Sequence, residues 1–119
     1  MIRYEIKNLI ELRSVTKEVE EFLTSHGVGM QKAFDARLVL NELAGNVLKH
    51  ASSTAWVTME LGRAELHLTV YAQNGVLPPQ TSSCPEPPSE GGRGLFLVDT
   101  LSVQRMQTPD GGVLVVIEL

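Results

Sequence analysis

The sequence predicts an α+β two-layer sandwich, a mostly antiparallel sheet with helices on one face. Three observations lead there. Apolar residues alternate with polar ones at the start and in the middle of the chain, and a short apolar run closes it. Two long segments between them carry apolar residues at three- and four-residue steps. The resulting order, β-αα-ββ-loop-α-ββ, brings consecutive strands close enough to pair as antiparallel neighbours and leaves the helices to cover one face.

Each element has its own signal. Ile2, Tyr4 and Ile6 alternate with Arg3, Glu5 and Lys7, the period-two pattern of a half-buried strand over 2–7. From about 11 to 26 the apolar residues are Leu12, Val15, Val19, Phe22 and Leu23, a helical stripe, with Gly27 placed to stop it. Residues 31–51 form the longest periodic segment: Ala36, Val39, Leu40, Leu43, Val47 and Ala51 share one helical face. Trp56 to Leu61 and Leu66 to Ala72 read as two strands joined by a tight turn at Gly62-Arg63. Residues 75–92 hold Gly75, Pro78-Pro79, Ser82-Ser83, Pro85, Pro87-Pro88 and Gly91-Gly92. A loop longer than about 12–15 residues in a small domain is characteristically a functional lid or a disordered segment, and this one is expected to carry little folding energy. A short helix follows on Leu95, Val98 and Leu101, then a strand near 102–107, a turn at Pro109-Asp110-Gly111-Gly112 and a last apolar strand from Val113 to Leu119.

Composition narrows the class. At 119 residues the chain is expected to form a single domain, 1–119, with no repeat and no linker. The six aromatics, Tyr4, Phe22, Phe34, Trp56, Tyr71 and Phe96, are spread out, so the core must be aliphatic. A net charge of −4 with scattered Lys and Arg argues against direct nucleic-acid binding, which draws most of its affinity from a basic face. Cys84 is the only cysteine and has no Cys or His close by in sequence, so neither an intrachain disulfide nor a thiolate metal site is readable. No apolar run approaches a membrane span or a signal peptide, and a cytoplasmic location is expected.

Two features carry chemistry. Glu42, Asn46 and His50 are spaced four apart on the second helix and form a slightly slanting row beside its apolar face, with Asp35 and Lys49 close to it. A carboxylate, an amide oxygen and an imidazole in line could supply a general base, an oxygen ligand for Mg²⁺ and a phosphate contact. Alone, the row also fits a solvated helix flank. The second feature, Gly91-Gly92-Arg93-Gly94-Leu95-Phe96-Leu97-Val98, puts three glycines just before a helix, where backbone N–H groups and the helix dipole suit a polyphosphate.

Together they are more specific. The run Asn41 to Ala51 resembles the N-box of the histidine-kinase and gyrase B ATPase superfamily (the Bergerat fold), and Gly91 to Val98 resembles its second glycine box. The Pro/Ser loop stands where that superfamily has its ATP lid. The wording of both runs is most similar to the anti-sigma-factor serine/threonine kinases. The resemblance implies that Glu42 is the catalytic base activating a serine hydroxyl and that Asn46 coordinates Mg²⁺. It implies that Lys49 and His50 border the phosphate site, while Gly92, Arg93, Gly94 and Leu95 wrap the β- and γ-phosphates. It also implies ATP as cofactor, an anti-sigma antagonist of the STAS type or a sigma factor as partner, and a homodimer.

The adenine side departs from the family. The family's first glycine box, Asp-x-Gly-x-Gly, has an Asp that accepts a hydrogen bond from adenine. The matching stretch here runs Tyr71-Ala72-Gln73-Asn74-Gly75-Val76-Leu77. Counting back from Gly75 puts Gln73 at the Asp position; strand alternation instead puts Ala72 there, with one residue inserted. Val113 also stands where the family opens its last strand with a Thr. Unmatched buried donors cost about 1–3 kcal/mol, enough to weaken ATP binding about ten- to a hundredfold. Gln73 or Asn74 could offer an amide oxygen in compensation. The sequence therefore supports an anti-sigma-type ATP- and Mg²⁺-binding regulator with serine kinase activity. The alternative is a non-catalytic binding module on the same fold that regulates a partner.

Overall fold

The computed structural model describes residues 2–50, 54–72, 97–108 and 111–119, with the backbone alone at His50. The chain starts with β1 (Ile2–Ile6) and continues through α1 (Leu9–Ser25), α2 (Met30–His50), β2 (Ala55–Leu61) and β3 (Glu65–Ala72). Residues 97–101 are helical, and β4 (Gln104–Gln107) and β5 (Val113–Glu118) complete the described chain. The five strands form one sheet in the order β1-β2-β3-β5-β4, and all four ladders are antiparallel. The two-layer α+β sandwich expected from the sequence is the fold observed.

The sheet is one-sided because its rows alternate in register. Ile2, Met59, Leu68 and Val115 stand side by side across four strands, as do Tyr4, Val57, Val70 and Val113. These inner rows meet the stripes of α1 (Leu12, Val15, Val19, Leu23) and α2 (Ala36, Val39, Leu40, Leu43, Val47) in one core, nearly or fully buried except for Ile2 and Tyr4, which are half-buried at its edge. α1 packs on β1, and α2 packs on β2 and β3. Val98 of the 97–101 turn, fully buried, belongs to the same core.

Boundaries shift by a residue or two where capping decides them. α1 starts at Leu9, not 11, because Asn8 caps it: the Glu11 N–H donates to Asn8 Oδ1 at 2.9 Å. Gly27 ends the helix as expected, with a φ of 89°. The N–H groups of Gly27 and Val28 return to the carbonyls of Thr24 and Leu23, the paired bonds of a Schellman stop. The last strand begins beyond a turn in which Gly111 takes a φ of 89°. The loop expected at 75–92 lies outside the described residues.

Candidate functional site

α2 positions the candidate row. The Arg37 Nη1 donates to Glu20 Oε1 of α1 at 2.9 Å, and Gly45 packs toward Leu12 of α1, marking the flank that meets α1. At roughly 100° per residue, Asn46 lies about 180° from Arg37 around the helix, with Glu42 and Asp35 about 140–160° from it. These side chains therefore occupy the flank turned away from α1. In the helix layer, that flank looks toward the β5-β4 half of the sheet, where the 97–101 turn sits.

The row differs in burial along its length. Asn46 is 9% exposed, Asp35 is 7% exposed, and Glu42 between them is half-buried. Lys49 is exposed. Asp35 Oδ1 accepts a hydrogen bond from Gln31 Nε2 at 2.9 Å. Asn46 has no side-chain hydrogen bond among the described residues, and no fully enclosed side-chain nitrogen or oxygen there lacks a partner. Its amide therefore keeps a narrow opening at the flank, and a buried amide without a protein partner is suited to a polar ligand.

The strands bring a second group of residues to the same end of the fold. Only residues 51–54 link α2 to Ala55, a reach of no more than about 18 Å, so the C-terminal turns of α2 stay near that end of the sheet. Ala55 pairs with Ala72, the last residue of β3, and Val113 opens β5 opposite Val70. Ala72 and Val113 both point into the core, 7% and 2% exposed. Of the two alignments left open by the sequence, the one using strand alternation places its residue here: the last inward position of β3 carries a methyl group. Neither inward side chain at this corner can accept a hydrogen bond from a base.

The 97–101 turn is fastened from below. Arg105 on β4 forms a two-pronged pair with Asp99, Nε to Oδ1 at 2.6 Å and Nη2 to Oδ2 at 3.2 Å, while the Ser102 hydroxyl donates to the Val98 carbonyl. Burial of Val98 and this bidentate pair hold the segment that follows the glycine run against the sheet. Sequence reasoning missed Asp99 and Arg105. Their signal, a lone Arg in a polar strand six residues after an Asp, is too common to mark a pair.

Of the expected site residues, Glu42, Asn46 and Lys49 are thus placed on one flank. His50 ends α2, its side chain outside the described residues. Gln73, Gly75, Gly92, Arg93, Gly94 and Leu95 also lie outside them, and with them the expected phosphate cradle and lid. Among the described residues no group of three His, Cys, Asp or Glu side chains could hold a metal, and no helix is long and apolar enough to cross a membrane.

Comparison with known proteins adds one result. The family model described as the histidine kinase-like ATPase domain matches residues 7–117, nearly the whole chain. Comparison with curated proteins finds no match.

Proposed function

Because the chain belongs to the histidine kinase-like ATPase domain family, we propose that it is an anti-sigma-type regulator that binds ATP with Mg²⁺ and phosphorylates a serine on a small antagonist protein. The observation that carries this reading is Asn46, buried and without a side-chain partner among the described residues, one turn from half-buried Glu42 on the open flank of α2. The wording of the Asn41–Ala51 and Gly91–Val98 runs supports the anti-sigma assignment.

The residues present fit a metal–phosphate group. Mg²⁺ takes hard oxygen ligands, usually one or two from protein with the rest from phosphate and water, and the Asn46 amide oxygen meets that need. When bound, the metal would neutralise charge on the phosphates and align them for transfer. Glu42 would take the proton of the attacking serine hydroxyl onto its carboxylate, as a half-buried base on the same flank can. Lys49 and His50 would offer positive charge or donors at the rim, and the N–H groups from Gly92 to Leu95 would hold the terminal phosphates.

A second reading has its own support. Ala72 and Val113 make the inward corner apolar where the family holds adenine, which favours a module that binds a partner, a sigma factor or an antagonist, without turning over ATP.

Calorimetry with ATP and GTP, with and without chelator, separates the two. The kinase reading expects both nucleotides to bind with similar, modest affinity that falls sharply without Mg²⁺ or in Asn46→Ala. It expects Glu42→Ala to retain binding and lose phosphate transfer to a serine-bearing partner. Strong preference for ATP over GTP would refute the account of the apolar base corner. No nucleotide binding at millimolar concentration would refute the kinase and leave the binding module.

A further inference from the structure

Both helices cover one face of the sheet, so among the described residues the other face carries no helix. Its side chains follow from the register. Trp56 on β2 opposes Tyr71 on β3, Thr58 opposes Thr69, Thr69 opposes Leu114 on β5, and Leu114 opposes Met106 on β4. Val116, one outward position further along β5, is 5% exposed and floors the surface, whereas Met106 is 41% exposed and Trp56, Tyr71 and Leu114 are half-buried. Trp56, Tyr71, Leu114 and Met106 thus form a diagonal apolar band across four strands. Three strand spacings and one outward step give it a length of roughly 16 Å, about three turns of an α-helix. Tryptophan, tyrosine and methionine are also the residues that protein interfaces favour. Arg3, its guanidinium 5.4 Å from the Trp56 ring centroid, closes the β1 end of the band.

Carboxylates gather on one flank of this band. Beyond Thr58 and Thr69 along the strands come Glu60, opposite His67, and then Glu65, opposite Glu118. With Arg63 of the turn these residues border a recess of about 460 Å³. His67 Nε2 lies 3.3 Å from Glu65 Oε1. Two carboxylates directly opposed across a ladder destabilise it. The core does not require Glu118 in that place, since the residue is exposed. A cationic group delivered to the recess would turn that repulsion into attraction.

We propose that the outer face of the sheet docks a helix of a different protein, one that lays an apolar stripe along Trp56, Tyr71, Leu114 and Met106 and points lysines or arginines from one flank to Glu60, Glu65 and Glu118. The charge pattern selects this occupant. A second copy of this chain, at a net charge of −4 with its lysines and arginines scattered, offers no basic flank to match. An anionic lipid surface or a nucleic acid is repelled by the same carboxylates. The face lies on the layer opposite α2, so the proposal does not rest on the kinase reading, and its failure leaves that reading untouched.

Fluorescence anisotropy tests it with the full chain and a labelled Leu/Ala/Lys peptide of about 18 residues, its leucines at three- and four-residue steps and its lysines on one flank. This peptide is expected to bind and to weaken with added salt, and the same peptide with glutamate for lysine to bind at least about tenfold more weakly. Leu114→Asp is expected to weaken the lysine peptide about tenfold or more, with circular dichroism to verify folding, and Met106→Asp at the exposed edge tests the same band with less risk to the fold. Glu60→Lys combined with Glu118→Lys is expected to weaken it about tenfold, while Glu21→Lys, exposed on α1, leaves it unchanged. Glu118→Lys alone removes the repulsion against Glu65, so its thermal midpoint should rise even as binding falls, which separates lost docking from lost folding. Equal binding of the two peptides would overturn the proposal, as would face variants that lose no more affinity than Glu21→Lys. No binding at millimolar peptide would do the same. So would sedimentation showing that Met106→Asp dissolves a dimer of the free chain, which would assign the face to a second copy.

Discussion

Asn46 and Glu42 stand one helical turn apart and differ in what surrounds them: the amide is nearly enclosed, the carboxylate half open. Their four-residue spacing was legible in the sequence; which of them the packing encloses was not. The same holds for Gly112, which as a sequence feature marks only a turn. In the structure its N–H donates to Thr108 Oγ1 at 2.8 Å and its carbonyl accepts from the Thr108 N–H at 2.9 Å, closing the turn between β4 and β5. A Cβ at this position would lie 2.5 Å from the Tyr71 ring. Gly112→Ala is therefore expected to destabilise the fold by about 1–3 kcal/mol, the usual cost of overpacking. Denaturant unfolding checks this, and adding Tyr71→Ala should remove the excess cost of the alanine. An alanine tolerated without loss would show that the ring swings aside freely.

At the scale of elements, α1 is bounded by signals that act at both ends. Asn8 Oδ1 accepts from Glu11 N–H while Glu11 Oε1 accepts from the Lys7 N–H at 2.8 Å, a variant of the capping box shifted by one residue. Asn8→Ala is expected to cost about 0.5–2 kcal/mol. Gly27 has open space where a Cβ would go, so Gly27→Ala meets no clash and pays only for a left-handed backbone, about 1–2 kcal/mol. Thermal unfolding of both variants and the double variant checks these values; the two sites are at opposite ends of a 17-residue helix, so the losses should add. The Asp99–Arg105 pair belongs to this scale as well. It joins a helical turn to a strand, a relation that no helical or strand period encodes.

For the molecule as a whole, Tyr4 links packing to pH. Its hydroxyl titrates above the ordinary phenol value of 10.0, first because burial disfavours the phenolate and second because Glu18 of α1 adds like charge. The folded state therefore holds this proton more tightly than the unfolded chain. The stabilisation is complete below about pH 10 and is lost as pH rises through the higher folded value. Unfolding measured from pH 8 to 12 should show stability falling on the alkaline side, with a shallower fall in Tyr4→Phe, which has no proton to lose. Parallel curves for the two proteins would place the alkaline loss elsewhere.

The sequence by itself determined the fold class, the order of elements and the identity of the polar row on α2. Each rests on local periodicity: alternation marks a sheet face, three- and four-residue steps mark a helical stripe, and four-residue spacing aligns Glu42 with Asn46. Only the tertiary structure decided which flank of α2 looks toward the far half of the sheet, because that depends on where α1 docks through Arg37 and Gly45. It also decided that Ala72 and Val113, 41 residues apart in number, turn inward at the same end of the sheet, and that Arg105 on β4 reaches Asp99 of the 97–101 turn. These are relations between elements distant in the chain, set by strand register and burial, and burial is a property of the packed whole that no single segment carries.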